Sequence, residues 1–247
     1  MTDAHFIYHL LDGRQGDDPA LAPIQRLRYQ VYVNEWGFEK PEDHPDGLER
    51  DEYDRYSLHF YACSLTSDEV IGSARIILGS QLPFPIERHF DTSTFPADGR
   101  RGQLGEISRL AISKNYRRRA IDRVIFGNGS ETSGEMEESL DFVQAVAQEE
   151  RRKCEHELIR GFYVMVYRES LQLGLTHWYA VMVKALWVIL RRWGINFRQI
   201  GPEQQYHGIR APYVLDIRSF EERMATMNTE FATMINTIGQ ESRRVNT

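Results

Sequence analysis

The stretch Gly105-Glu106-Ile107-Ser108-Arg109-Leu110-Ala111-Ile112-Ser113, followed at once by Lys114-Asn115-Tyr116-Arg117-Arg118-Arg119, decides how this chain is read. Its first part alternates and then turns apolar, as a β-strand heading into a core does. Such a strand normally excludes Glu and Arg, because an unpaired charge away from water is costly. Glu106 and Arg109 therefore need partners or a task. The four cations between 114 and 119 could hold a phosphate by point charge and forked hydrogen bonds. Together the two parts suggest a carboxylate beside a seat for a phosphate-bearing carrier. The same spacing also fits a structural Glu–Arg pair next to a solvated basic loop.

Upstream, Phe6-Ile7-Tyr8-His9-Leu10-Leu11 is a short apolar segment closed by Asp12-Gly13. Pro23 opens a helix that puts Ile24, Leu27, Arg28, Val31 and Tyr32 on one face. Arg28 falls inside that apolar stripe, where it either finds a partner or snorkels to water. An acidic, turn-rich run, Glu42-Asp43-His44-Pro45-Asp46-Gly47, leads into Glu49, Asp51, Glu52 and Asp54 and reads as a solvated loop. Strands are expected at 58–65 and 69–79, the second carrying Arg75 among apolar neighbours. Residues 79–103 read as an irregular, proline-containing loop before the Glu106 strand. The polar, glycine-containing segment 120–136 reads as an excursion. Helical spacing returns from Leu158 to Leu171 and stops at Gly174. A strand over His177–Met182, a short helix over Ala185–Trp193, and strands at Phe197–Ile200 and Tyr213–Ile217 follow. A Met-rich stripe from Phe220 to Ile238 marks a C-terminal helix whose apolar face reads as core packing.

This order of elements suits an α/β chain with one mixed sheet covered on both faces. The expectation is a single domain over 1–247, with a helical insertion about 120–173 and a C-terminal helix about 219–239. The chain has 247 residues, 41% hydrophobic and 27% charged, ordinary values for a globular protein. A net charge of −6 argues against general nucleic-acid binding and makes the basic run a local device. Cys63 and Cys154 have no metal-ligand spacing and read as reduced thiols. His59, His177 and His207 are scattered and read as packed or surface side chains; no metal site is expected. The polar N-terminus lacks an export signal, and the apolar run near Tyr179–Leu190, broken by Lys184, is too short to span a bilayer. The expectation is a cytoplasmic protein.

The spacing of Arg28 and Tyr32, then Glu49, Asp51 and Asp54, then Arg75, then Glu106-Ile107-Ser108-Arg109 resembles the signature of the acyl-homoserine lactone synthases, within the GNAT-type N-acyltransferases. The segments Arg191-Arg192-Trp193-Gly194-Ile195 and Gly201-Pro202 through His207-Gly208-Ile209-Arg210-Ala211-Pro212-Tyr213 more closely resemble a sister group. That group comprises the long-chain N-acyl amino acid synthases and the acyltransferases associated with PEP-CTERM/exosortase systems. The resemblance implies a GNAT-like, mostly antiparallel sheet with a splayed strand pair and helices on both faces. In the lactone synthases a tryptophan that helps enclose S-adenosylmethionine stands where this chain has Phe38, with Trp36 two residues earlier. That departure, and the extra length between Arg119 and Leu158, favour an amino acid or another small amine as acceptor over S-adenosylmethionine.

The implied reaction moves a fatty acyl group from the phosphopantetheine arm of an acyl carrier protein to an amine, with no permanently bound cofactor. The resemblance implies Glu106, Ser108 and Arg109 as the catalytic group, with Glu106 as base. It implies Arg28, Tyr32, Trp36, Phe38, Glu49, Asp51, Asp54 and Arg75 around the acceptor. Leu110, Ile112, Tyr179 and Val181 would flank the pantetheine and the fatty chain, and Lys114, Arg117, Arg118 and Arg119 would grip the acidic carrier. An ideal strand sends Arg109 to the face opposite Glu106 and Ser108; the bulge implied by the fold would relax that constraint. Lactone synthesis from S-adenosylmethionine is the alternative chemistry. A non-catalytic module that binds acyl carriers is the alternative class.

Overall fold

The computed structural model describes residues 6–16, 18–65, 68–79, 82–114, 116, 138–226 and 243–244. For 138–154, 224–226 and 243–244 it describes the backbone alone. Strand β1 spans Phe6–Asp12. Helix α1 spans Ala22–Tyr29, has Pro23 in its first turn, and continues as a π-helical turn over Gln30–Glu35. Strands β2 (Ser57–Ser64) and β3 (Val70–Leu78) form the expected hairpin. Within the stretch read as loop, Pro85–His89 forms a short helix, α2. Strand β4 is Leu104–Ile112, and the long helix α3 is Glu138–Gln172. Then come β5 (His177–Met182), α4 (Lys184–Arg192), β6 (Arg198–Gln199), β7 (Gln204–Gln205), β8 (Ile209–Asp216), α5 (Ile217–Thr226) and β9 (Arg243–Arg244). The rest of the expected C-terminal helix and the excursion at 120–136 lie outside the described residues.

The sheet runs β6-β8-β5-β4-β3-β2-β1-β9, with β7 also paired to β8. Only β4/β5 and β1/β9 are parallel among the described strands. One face carries the main core: Ile76, Ile107, Trp178 and Ala180 pack with Phe162, Val166 and Leu190 from α3 and α4. The other face splits into smaller cores among the described residues, one of them Leu11, Leu21 and Ile24. Leu27, Val31 and Ala111 join α1 to the sheet, and Ile77, Leu104 and Tyr179 meet Phe84, Ile86 and Phe90 around α2. Helices therefore cover both faces, and the functional side chains sit in the gap between α1 and α2.

The expectation of a loop over 79–103 missed α2 because of the prolines in that stretch, although Pro85 at the first helical position followed by Glu87 is a start signal. The Glu87 carboxylate accepts from the Phe84 backbone N–H at 2.7 Å and closes that turn. On the main-core side, Gly161 lets α3 dock: a Cβ there would lie 2.1 Å from the Tyr8 hydroxyl oxygen and 2.2 Å from its ring. Tyr8 in turn donates its hydroxyl to the Glu157 carbonyl, 3.1 Å away. Glycine in a helix interior ordinarily costs about 1 kcal/mol against alanine, yet here Gly161→Ala is expected to destabilise by about 1–3 kcal/mol through overpacking. Denaturant unfolding checks this; a variant more stable than the parent would contradict the close docking.

Candidate active site

The strand β4 carries one more residue than its partner at the point where charges gather. Arg75 pairs with Ser108 and Ser73 with Ala111, so Arg109 and Leu110 together face Ala74. Arg109 has φ 51°, a left-handed conformation uncommon for a residue other than glycine. Such a bulge shifts the alternation of side chains. Leu104, Glu106 and Ser108 point toward the α1 and α2 side; after the bulge Ala111, an odd-numbered residue, points there too. Ser108 and Arg109 thus line the same cavity, which ideal alternation forbids.

The parallel ladder between β4 and β5 ends at Ile107 opposite Ala180, whereas β5 continues on β8 to Met182 opposite Ala211. A wedge of about 80 Å³ opens between the two strands, lined by Ser108, Leu110, Val181, Met182, Leu186 and Arg210 among others. Tyr32 crosses from α1 and donates its hydroxyl to the Leu110 carbonyl at 2.9 Å.

Beneath this point lies a buried ionic lattice. Arg28, 1% exposed, pairs with Glu49 and holds Asp54 at 2.7 Å. Arg75 reaches Asp51 at 2.6 Å, Asp54 at 2.6 Å and the Ser108 hydroxyl at 3.0 Å. Arg109 holds Glu49 at 2.9 Å, Glu39 at 3.2 Å and Asp51 at 3.3 Å. Burial works against the charge on Glu49, but Arg28 and Arg109 outweigh it and hold the group at about 2. Asp54 is held at about 2 in the same way, by Arg28 and Arg75 against desolvation. Asp51 is lowered by Arg75 and Arg109 against the same penalty.

Glu106 stands apart from this lattice. It is 2% exposed, and its carboxylate accepts the Ile86 backbone N–H at 3.0 Å. Burial raises its pKa to about 8; that hydrogen bond and the more distant Arg75 and Arg109 only moderate the rise. It opens on a cavity of about 380 Å³ that also meets Tyr32, Phe38, Glu39, Asp51, Tyr53, Arg75, Ser108, Arg109 and Val181. This is a desolvated carboxyl poised to exchange a proton near neutral pH, beside the splayed strands.

The structure brings most of the sequence-selected residues together, with corrections. Arg109 pairs with Glu39, Glu49 and Asp51, so the Glu106–Arg109 pair open in the sequence is not formed. Arg28 does not snorkel, and Glu49 and Asp54 are buried rather than solvated. Arg28, Glu49 and Asp54 support the cavity from behind and are not among its lining residues. Trp36 packs beside Leu27 and Val31 and stacks on Phe38 with ring centroids 6.2 Å apart. Tyr179 and Ile112, expected beside the pantetheine, point into the cores instead: Tyr179 donates to the Phe95 carbonyl, and Ile112 packs on the α3 side. Leu110 and Val181 do line the wedge. Lys114 is exposed, and Arg117, Arg118 and Arg119 lie outside the described residues. His59 is buried behind the lattice, as a packed histidine would be. His207, read as packed or surface, lines the main cavity, and burial with Arg210 and Arg109 lowers its pKa to about 4. Glu39, Tyr53, Arg88, His89, Tyr206 and Arg210 also line it. These were missed because they come from elements far apart in the sequence, Arg88 and His89 from α2 and Arg210 from β8 among them; Arg210 and His207 stand in the quoted Gly201–Tyr213 segment without a role assigned to them.

Residues 27–126 match the model of the acetyltransferase (GNAT) domain, a span that contains Arg28, the acidic run, Arg75 and the Glu106 strand. The chain superposes on a CoA-dependent acyl-homoserine lactone synthase, BjaI, solved with SAM and isopentyl-CoA. The TM-score is 0.62 at 16% identity, over 98% of this chain and 94% of that one. TofI, solved in a ternary complex with an inhibitor and MTA, gives 0.59 at 17% identity, over 87% of this chain and 96% of that one. FeeM, an N-acyl amino acid synthase from uncultured soil microbes, gives 0.52 at 12% identity, over 88% and 94%. At such identities the common property is the fold, and the chain carries the GNAT fold. No curated protein matches the chain by sequence.

The carboxylates make opposite contributions to pH-dependent stability. Glu49 and Asp54, held at about 2, stabilise fully above the ordinary carboxylate range and lose that contribution as pH falls toward 2. Glu106, raised from 4.5 to about 8, stabilises in its neutral form below pH 4.5 and loses that contribution as pH rises through 8. Glu106→Gln, which stays neutral, is expected to match the parent near pH 4 and to melt at a higher temperature at pH 9. Melting curves across pH check this; parallel curves on the alkaline side would contradict the assignment.

Proposed function

We propose that this chain is an N-acyltransferase that moves a long-chain fatty acyl group from an acyl carrier protein to the α-amine of an amino acid. The observation that carries the reading is the isolated, desolvated Glu106 carboxyl facing a cavity beside the bulge and the wedge. An amine acceptor arrives protonated near pH 7 and cannot attack until a proton is removed. An ionised Glu106, acting directly or through a water, is the base in reach, and a pKa near 8 narrows the gap to an ammonium. The amine then attacks the thioester carbonyl, and the tetrahedral oxyanion needs donors. Backbone N–H groups beside the bulge, where β4 has left β5, are suited to supply them. The intermediate collapses with loss of the pantetheine thiolate, which takes up a proton as the amide forms. The wedge, lined by Leu110, Val181 and Met182, suits an apolar acyl chain. The basic run Lys114–Arg119 suits an acidic carrier.

Lactone synthesis from S-adenosylmethionine is the second reading, favoured by the superposition on BjaI and TofI, whose structures hold SAM and MTA respectively. Against it stands Phe38, which lines the cavity at the position of the lactone synthases' tryptophan. Incubating the protein with a long-chain acyl carrier thioester, an amino-acid pool and S-adenosylmethionine separates the readings by mass spectrometry. N-acyl amino acids support the proposal, methylthioadenosine release supports the second reading, and intact bound thioester supports a binding module.

Glu106→Gln is expected to lower turnover about 10²–10⁴-fold, and the parent's rate is expected to rise through about pH 8. A near-normal rate in the variant would move the base elsewhere. Neutralising Arg117, Arg118 and Arg119 is expected to raise KM for the carrier thioester and to flatten its salt dependence. A KM unchanged across ionic strength would detach the basic run from carrier binding.

A further inference from the structure

The main cavity is lined by four arginines, Arg75, Arg88, Arg109 and Arg210, and three are already committed. Arg75 is engaged by Asp51, Asp54 and Ser108. Arg109 is engaged by Glu39, Glu49 and Asp51, and Arg88 pairs with Glu52 at 2.5 Å. Arg210 differs. Its Nε donates to the His207 carbonyl at 3.1 Å, and its guanidinium lies over the Phe38 ring, 5.2 Å from the centroid. Its Nη2 is shielded from water and has no hydrogen-bond partner among the described residues. No carboxylate pairs with it among the described residues, and burial lowers its pKa. Arg210 also lines both the main cavity and the wedge, so it stands where the two spaces meet.

A buried guanidinium edge without a partner is costly to keep unless a ligand completes it. The guanidinium fork fits two oxygens of one anionic group. We propose that Arg210 is the acceptor-specificity residue and seats the α-carboxylate of an amino-acid acceptor while its amine faces Glu106. This rests on the acyl-transfer reading for the identity of the site, and it adds which side chain reads the acceptor. In an α-amino acid the amine and the carboxylate share one carbon, and Arg210 and Glu106 line one cavity of about 380 Å³. The phosphate of a pantetheine arm is the other anion in the reaction. It lies at the far end of that arm from the thioester, away from the carboxyl that must reach the amine. His207, held neutral in the same lining, adds no competing charge, and Phe38 fixes the plane of the guanidinium from one side.

The test measures an amino acid against its own amide, leucine and leucinamide or tyrosine and tyrosinamide, with parent protein, Arg210→Gln and Arg210→Lys. The ratio of kcat/KM for acid over amide is expected to fall about 10–100-fold in Arg210→Gln, the range of a lost hydrogen bond to a charged group. Arg210→Lys is expected to recover part of the ratio by its charge without the fork. KM for the acyl carrier thioester is expected to stay constant. Equal loss on acid and amide, or a change confined to the thioester's KM, would overturn the proposal in favour of oxyanion or phosphate contact. Calorimetric titration of the same acids and amides gives a second readout that needs no turnover. Preferential binding of the acid by the parent and not by Arg210→Gln supports the carboxylate seat even if acyl transfer is absent. Equal binding of acid and amide by the parent overturns it even if transfer occurs.

Discussion

Three arginines and four carboxylates, packed together where the acidic loop crosses the bulged strand and buried at Arg28, Arg75, Glu49 and Asp54, are the constraint on which the site depends. Arg28 comes from α1, Arg75 from β3 and Arg109 from the bulge in β4; Glu39, Glu49, Asp51 and Asp54 come from the loop that follows α1. Charges this deep are expensive to desolvate, and a paired cluster is weak evidence of net stability. Its effect is positional. Each arginine binds at least two carboxylates, so the loop is tied to two strands and a helix at once, and Arg109 is held in a backbone conformation it would otherwise avoid.

The same pairing explains why Glu106 is different. Arg75 and Arg109, the arginines whose charge reaches it, are already occupied by other carboxylates, so among the described residues Glu106 keeps the Ile86 N–H and a desolvated environment. Four acids in one neighbourhood are thereby pushed apart: Glu49, Asp51 and Asp54 downward by cations, Glu106 upward by burial. Carboxyls separated in this way can hold structure and exchange protons at once. The end of the β4/β5 ladder one residue further along opens space directly beside that carboxyl.

Much of this was legible in the sequence where the signal was local. Arg28 in an apolar stripe, Arg75 in an apolar strand and Glu106 and Arg109 in a third strand each announced a charge that needed company, and the structure joins all but Glu106. Which charge met which was not legible, because partner choice depends on the one-residue bulge, and a bulge leaves no mark in the spacing of a single chain. The same shift explains why Ile112 faces a core and not the wedge; Tyr179 sits opposite Glu106, before the strands part, and packs into the α2 core. The second half of the cavity lining, Tyr206, His207 and Arg210, was hidden for another reason. Tyr206 and His207 come from a polar turn before β8 and Arg210 from the start of β8, and they reach the site only after the sheet has assembled in an order far from that of the sequence.

The central claim is that Glu106 is a buried carboxyl kept outside the ionic lattice. Carbon-13 NMR of glutamate side-chain carboxyls, with Glu106→Gln to assign the signal, tests it most directly. The account predicts one resonance that titrates near pH 8 and disappears in the variant. A Glu106 resonance that titrates at or below the ordinary glutamate value would contradict it.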